Sequence, residues 1–206
     1  MTSPVPARRI HLALFAGVAA VFVWSAMGPR ELHTWFLEVF PAAAAAPVLV
    51  WMYRRFRFST LVYTLIAIHA AILMVGGHYT YAEVPLFNWL RDAWGLDRNY
   101  YDRVGHFAQG FIPAMIAREV LLRKTALSRG KMLVFLVVCI CMAISAWYEI
   151  LEFAIAKIIG DSAENFLGTQ GDPWDTQWDM TFAWAGSAAA LALLSRWHDR
   201  QLNDAS

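Results

Sequence analysis

The chain has 206 residues, of which 59% are hydrophobic and 16% are charged, and its formal net charge is +1. This composition is too apolar for an ordinary soluble domain and favours an integral membrane protein. The near balance of charge, without a lysine-rich run, argues against nucleic acid as a partner. No linker, repeat or low-complexity tract divides residues 1–206, so we expect a single transmembrane helical domain.

Six apolar stretches are long enough to cross about 30 Å of hydrocarbon, and they predict an all-α bundle of six transmembrane helices. The first is expected to be retained rather than cleaved as a signal peptide. The second contains Glu38, Pro41 and Pro47 and is expected to kink or break. Residues 83–101 suit a short helix lying in the membrane interface. The six stretches are residues 10–27, 33–52, 59–77, 103–122, 132–157 and 177–195.

Most arginine and lysine residues fall on one side of these spans. By the positive-inside rule that side is cytoplasmic, and both termini lie there. The opposite loops are acidic and are expected to face the periplasm or the cell exterior. The inner basic residues are Arg8, Arg9, Arg54, Arg55, Arg57, Arg123, Lys124, Arg129, Lys131, Arg196 and Arg200. The outer acidic residues are Glu31, Glu83, Asp92, Asp97, Asp161, Glu164, Asp172 and Asp175.

Polar residues gather at the outer ends of the predicted helices. Asp102, His106 and Gln109 have the spacing i, i+4 and i+7 and therefore share one helix face, while Glu149 and Glu152 form an i, i+3 pair. We expect four helices to direct acids and imidazoles into one pocket. Further members of this pocket are His78 and Tyr79 at the end of the third span, Asp172 in the last loop, and Asp175 and Asp179 in the sixth span.

The sixth span carries small residues on the side of its two aspartates. Ala183 and Gly186 follow Asp175 and Asp179 at helical spacing. Small residues on one stripe let a neighbouring transmembrane helix approach closely. A tightly packed helix pair is therefore predicted at this position.

Imidazole and carboxylate groups together predict a site for a divalent metal. A carboxylate in the bilayer costs several kcal/mol unless it is paired, protonated or bound to a metal. The donor set suits zinc, manganese or iron, and its acid-rich subsets suit magnesium, so the metal is left open. The predicted metal ligands are His78, Asp102, His106 and Asp179, and the predicted catalytic residues are Glu149 and Glu152, either of which is suited to act as general base.

The same residues also have structural interpretations. Asp102 and Asp175 are placed to cap helix N-termini, and His78 is placed as an interfacial residue. The two glutamates of the fifth span are placed to pair with Arg103 or Lys157. Convergence of several such groups, rather than any single one, favours a functional site.

The last loop, residues 160–176, is rich in aspartate, glycine and asparagine. It is suited to cover the pocket or to bring Asp172 into it. The loop lacks the spaced acidic pattern of an EF-hand, which argues against a calcium loop of that kind.

Four segments of the chain are long and specific motifs: GHYTY at residues 77–81, YDRVGHFAQG at 101–110, EILE at 149–152, and the stretch 168–179. With these motifs the chain resembles the YjdF family of bacterial inner-membrane proteins over nearly its whole length. The order of Asp102, His106, Glu149, Asp175 and Asp179 has a fainter similarity to VanZ-like membrane proteins associated with glycopeptide resistance, although a glutamate stands at residue 152 where that pattern has glutamine. The resemblance implies a multi-pass inner-membrane location and no particular reaction.

Three classes of function fit this pattern. The first is a metal-dependent membrane hydrolase that acts on a lipid-linked or envelope substrate, with a groove opening sideways to membrane lipid. The second is a transporter or proton-coupled carrier, which requires polar residues continuing to the inner face. The third is a non-catalytic envelope accessory protein. The scarcity of polar residues in the inner half favours a site at the outer end alone. Arg118 and Glu119 near the inner end are still compatible with a carrier. The sequence does not determine the substrate or the oligomeric state.

Overall fold

The computed structural model describes residues 5–160 and 169–203, and these residues are helical or lie in short connections, without a β-strand. Each of the six apolar stretches lies in a long helix to within one residue at its ends, as predicted. A short 3₁₀ turn at Tyr81–Glu83 precedes the helix expected at the membrane interface. The helices are α1 Val5–Ala26, α2 Leu32–Met52, α3 Thr60–Tyr79, α4 Pro85–Trp94, α5 Tyr101–Lys124, α6 Lys131–Ile159 and α7 Asp175–Asn203.

In the described part of the chain, four helical segments are long and apolar enough to cross a membrane: Ala7–Ala26, Leu32–Met52, Thr60–Tyr79 and Lys131–Ile158. Their large side chains face outward, and Phe135 and Phe153 of α6 are each 62% exposed. Such surfaces are suited to lipid, because water would not solvate them well. Helices α5 and α7 do not meet the same standard, since both carry charged residues that are buried inside the bundle.

Helix α2 passes through two prolines without interruption. Pro41 and Pro47 both lie inside the continuous helix Leu32–Met52. The break, one of the two outcomes expected there, is therefore absent. Helix α2 packs along α3, and a neighbouring helix makes proline tolerable inside a transmembrane helix.

The centre of the molecule is the pair of helices α5 and α7, which cross at very close range. A Cβ atom added to Gly110 would lie 1.8 Å from the carbonyl oxygen of Ala183, and one added to Gly186 would lie 2.1 Å from the carbonyl oxygen of Phe107. No side chain fits in that space, so only glycine permits this approach of the two backbones. The tight packing predicted at Ala183 and Gly186 is confirmed.

An apolar core separates the two ends of the α5 and α7 pair. Ile112, Met115 and Leu191 are buried there together with Leu65 of α3 and Val137 of α6. The polar residues of the two helices therefore form two groups, one at each end of the bundle.

The group at the end of the bundle predicted to be cytoplasmic, named the inner end after that prediction, is a network of mostly buried charges. Glu119 accepts hydrogen bonds from the backbone N–H of Ser59 (2.9 Å) and from Arg123 (2.6 Å). Its other carboxylate oxygen lies 2.9 Å from Nε2 of His198, whose Nδ1 lies 2.9 Å from Arg118. Every member has a partner, so this network joins the inner ends of α3, α5 and α7. The sequence prediction underestimated the polarity of this end.

Candidate metal and acid site

Helix α5 supplies the centre of the outer polar group. The helix begins after Tyr100, so Asp102 lies inside its first turn and does not cap it. Asp102 and His106 are one turn apart on a buried face. That face meets α7 at Asp179, which is 2% exposed. The close crossing of the two helices therefore determines where the three side chains meet.

The three side chains form a compact donor group. Nε2 of His106 lies 3.4 Å from Oδ1 of Asp102 and 3.5 Å from Oδ1 of Asp179. One donor atom from each residue lies within 4.8 Å of the other two. For comparison, two ligand atoms bound tetrahedrally to one zinc ion at about 2.1 Å are about 3.4 Å apart. The spacing is therefore compatible with a shared divalent metal.

The other ring nitrogen of His106 faces different partners. Its Nδ1 lies 3.3 Å from Oε1 of Gln109 and 3.7 Å from Oε1 of Glu149. When Nδ1 carries the proton and donates it to Gln109, the lone pair of Nε2 points toward Asp102 and Asp179. Metal-binding histidines commonly have this arrangement, in which the second nitrogen donates to an oxygen outside the ligand shell.

Helix α6 adds two buried glutamates to the site. Oε1 of Glu149 is buried without a hydrogen-bond partner among the described residues, and the same carboxyl group is within reach of the Thr176 hydroxyl. Glu152, one turn further along α6, is also buried and interacts electrostatically with His106. The hydroxyl oxygen of Ser145, one turn inward, is likewise buried without a hydrogen-bond partner in the described chain. The site thus retains polar atoms that a ligand or water can satisfy.

Two arginines hold most of the aspartates in place. Arg103 is 5% exposed at its side chain and contacts Asp179, Asp175 (2.6 Å), Asp172 (3.2 Å) and Asp102 (3.3 Å). Asp175 also lies 2.7 Å from Nη1 of the second arginine, residue 98, which is equally buried. The structural alternative in which the glutamates of α6 pair with Arg103 is wrong, because its guanidinium group contacts aspartates of α5, α7 and the last loop instead.

The last loop closes the outer end of this network. Asp172 reaches Arg103 as expected for a loop that delivers a carboxylate to the pocket. Gln170 exchanges two hydrogen bonds of 2.9 Å with the backbone of Asn99, and its φ of 48° lies in the left-handed region. Asn99 in turn donates to the carbonyl of Val84 and to the side chain of Asn88 on α4. Asp161, Glu164 and Gly168 of this loop lie outside the described residues.

The structure does not bring His78 and Tyr79 into this site. Nδ1 of His78 lies 3.0 Å from the carbonyl oxygen of Ser25, and its ring contacts those of Trp24 and Tyr79 at centroid distances of 4.5 and 4.6 Å. Both residues therefore pack against the outer end of α1. The prediction of His78 as a further metal ligand is not supported, because its contacts connect α3 to α1.

Two further residues, Glu38 and Tyr81, border the pocket. Neither of them was among the pocket residues predicted from the sequence. Glu38 of α2 is 5% exposed, interacts electrostatically with His106 and is within hydrogen-bonding reach of Tyr81. The Tyr81 ring occupies space left by two glycines, since a Cβ atom at Gly76 or Gly105 would lie 2.2 or 2.8 Å from it. Glu38 was recognisable as a carboxylate inside an apolar stretch, whereas nothing in the sequence distinguished Tyr81 from an interfacial tyrosine.

Comparison with known proteins agrees with the membrane character of the fold. A family described as "Predicted membrane protein (DUF2238)" matches residues 10–200. The chain belongs to this family. It is 45% identical over 182 residues to the "Inner membrane protein YjdF" of Escherichia coli (strain K12), with 88% of this chain and 87% of the relative covered. The predicted family resemblance and the multi-pass inner-membrane location are confirmed. No solved structure matches the chain.

Proposed function

We propose that Asp102, His106 and Asp179 bind a divalent metal and that the chain is a membrane hydrolase acting on a lipid-linked or envelope substrate. The observation that carries this proposal is the buried three-residue donor group, whose contacts of 3.4 and 3.5 Å match the spacing of ligands around one ion. Three protein ligands leave a coordination position for water. A bound metal lowers the pKa of that water from about 16 toward 7, which supplies hydroxide at neutral pH.

The charge balance of the site supports a cation. Carboxyl groups from α2, α5, α6, α7 and the last loop outnumber the guanidinium groups of Arg98 and Arg103. An excess of buried carboxylates is costly unless protons or a metal compensate it. A divalent ion between His106 and the two aspartates reduces this excess where the acids are closest together.

Each remaining polar residue has a role in this proposal. Gln109 orients the imidazole of His106, and Arg103 holds Asp179 in position by contacting its Oδ1. Glu149, whose buried Oε1 has no hydrogen-bond partner among the described residues and lies 3.7 Å from Nδ1 of His106, would serve as the proton acceptor for an attacking water. Glu152 lies one turn further along α6 and is placed to receive that proton next.

The apolar core of the bundle favours an enzyme over a carrier. The outer site and the inner network are roughly 18 Å apart along α5, from His106 to Arg118, at 1.5 Å per residue. Between them the described helices pack buried apolar side chains, including Ile112 and Met115. A carrier needs a polar path or broken helices at this depth, and α5 and α7 are continuous there.

Metal content tests the proposal directly. We expect detergent-purified protein from metal-replete cells to contain about one divalent ion per chain, and His106→Ala to lower metal affinity by at least about 10–100-fold because it removes a ligand. The measurement is elemental analysis after desalting, with circular dichroism to verify that the helices remain. His78→Ala is the matched control, since it removes an imidazole that contacts α1, and it should retain the metal.

Two results would contradict the metal site. One is native protein without a stoichiometric metal after growth in metal-replete medium. The other is equal metal content in the His106→Ala and His78→Ala proteins. Either result would favour an acid and histidine hydrogen-bond network in a carrier or an accessory protein.

The proposed topology has six spans with both termini in the cytoplasm. Helices α5 and α7 contain 24 and 29 residues, which is enough to cross the bilayer, and their charged residues are buried against each other. Arginines 54, 55 and 57 and the basic residues 123–131 then lie on the cytoplasmic side. The metal site lies on the periplasmic side.

Reporter fusions test this orientation. An enzyme that is active only in the periplasm should be inactive when fused after residue 206 and active when inserted at Gly95, between α4 and α5. Blotting for the fusion protein verifies equal expression. Strong activity of the C-terminal fusion would overturn the topology and move the site to the cytoplasmic side.

A further inference from the structure

A groove lies between α6 and α7 beside the acid site. Its volume is about 360 Å³, and it is lined by Met142, Gln177, Met180, Thr181 and Trp184. None of these side chains carries a charge. The groove opens outward, since Trp184 is 54% exposed, and α6 is one of the helices that are apolar enough to span the membrane.

Helical register connects this groove to the outer site. Met142 precedes Glu149 by seven residues, so both lie on nearly the same face of α6, two turns apart. On α7, Gln177, Thr181 and Trp184 have the spacing i, i+4 and i+7 and form a stripe on the side of the helix that is turned away from Asp179. Thr176, next to the outer end of that stripe, is within reach of the Glu149 carboxyl group. The groove therefore begins beside Glu149, at the edge of the acid site, and extends roughly 10 Å inward along the helices.

We propose that this groove binds one hydrocarbon chain of a membrane-lipid substrate, so that the polar head group of that lipid lies at Glu149, whose Oε1 is 3.7 Å from Nδ1 of His106. The inference rests on the proposed function, whose lipid-linked substrate it narrows to a membrane lipid that keeps one chain in the bilayer. The head group then approaches the acid site from the side of α6, while the chain stays at the depth of the bilayer core. Such a substrate reaches the site without leaving the membrane.

The lining and dimensions of the groove select this occupant. Met142 and Met180 have flexible, polarisable side chains that adapt to a mobile hydrocarbon chain. The groove is open to the membrane-facing surface and holds about 360 Å³, which suits a slender hydrocarbon chain lying along it. A head group is excluded from the inner part, because that part offers no charged residue to pair with a phosphate or an amine.

Photo-crosslinking in vesicles tests the groove. Purified protein is reconstituted in phosphatidylethanolamine and phosphatidylglycerol with a trace of phosphatidylglycerol that carries a diazirine in one acyl chain. After irradiation, mass spectrometry should locate adducts preferentially on residues 177–184 and at Met142, above the level at Phe135, which faces bulk lipid on α6.

A blocking variant and its control make the result specific. Thr181→Trp fills the groove from an exposed position, so groove adducts should fall to the level at Phe135 while metal content stays native. Val134→Trp, a lipid-facing change elsewhere on α6, should leave the groove adducts unchanged. Uniform labelling over the surface, or labelling that survives Thr181→Trp, would overturn the proposed groove. So would covalent dimers formed through Thr181→Cys in place of lipid adducts, which would identify a second copy as the occupant.

The two proposals fail in different ways. His106→Ala should lose the metal and keep the groove adducts, because the hydrocarbon chain does not contact the imidazole. Groove adducts on a native protein that lacks metal would overturn the hydrolase and leave the lipid site standing. A stoichiometric metal without groove adducts would overturn the lipid site alone.

Discussion

Arg103→Met is expected to destabilise the protein more than any other single change in the outer site. The guanidinium group of Arg103 is buried and contacts four aspartates, including Asp175 at 2.6 Å and Asp172 at 3.2 Å. Methionine has a comparable length and preserves the packing, but it leaves Asp179 without an arginine partner and leaves the other three aspartates with Arg98 alone. Removing one partner of a buried ion pair costs about 3–5 kcal/mol, because the remaining charge stays buried.

Thermal unfolding in detergent, followed by circular dichroism, measures this loss. Arg91→Met is the matched control, since Arg91 lies on α4 and pairs with its neighbour Asp92 at the surface. It should unfold close to the native temperature, because an exposed ion pair contributes little. Arg103→Lys should unfold between the two, since an ammonium group keeps the charge but cannot contact several carboxylates with a planar fork. Equal unfolding of Arg103→Met and Arg91→Met would show that the buried network does not stabilise the fold.

The sequence predicted the helices and the convergence of polar groups because both depend on local spacing. Apolar runs of span length form helices in a membrane, where every backbone group must be bonded within its own segment. Asp102 and His106 share a face because they are one turn apart, and a buried acid cannot face lipid at acceptable cost. These two constraints were sufficient to place the residues of α5, α6 and α7 near one another.

The partners of the buried charges were not predictable in the same way. Arg103 had acids available on both α6 and α7, and its choice depends on the rotation and crossing of those helices. Arg98 lies in the stretch expected at the membrane interface, so it was not counted among the buried charges, although the structure buries it. The sequence placed His78 at the end of α3 that also holds the acid site. Position along the helix does not determine which neighbouring helix a side chain faces, and the imidazole of His78 faces α1. Which of several nearby groups a buried charge contacts therefore depends on how the helices pack, and the sequence alone does not show this packing.

The inner network shows the same limit of sequence analysis. The sequence shows Arg118 and Glu119 as adjacent charges near the inner end of a span. Their partner His198 lies about 80 residues away, and hydropathy places it beyond the last span. In the structure His198 is fully buried between the two. Hydropathy alone assigns such helix ends to solvent, because it does not include pairing across helices.

Gly110→Ala is expected to affect the site without changing any residue in it. The added Cβ atom would lie 1.8 Å from the carbonyl oxygen of Ala183, so the backbones of α5 and α7 must separate. Overpacking typically costs about 1–3 kcal/mol, and the cost is at the upper end when the neighbouring atom belongs to a backbone that cannot rotate away. We therefore expect a clearly lower unfolding temperature.

The same separation should weaken metal binding, because Asp179 lies on the helix that moves and His106 lies on the helix that stays. Nε2 of His106 and Oδ1 of Asp179 are 3.5 Å apart, which is close to the spacing of two ligands around one ion. A larger separation of the two helices would therefore move these atoms too far apart to bind the same ion. Gly17→Ala is the matched control, since a Cβ atom there meets nothing within 4 Å and alanine favours a helix. Elemental analysis and thermal unfolding of the two variants distinguish the outcomes. Native metal content and stability in Gly110→Ala would show that the close crossing of α5 and α7 does not position the site.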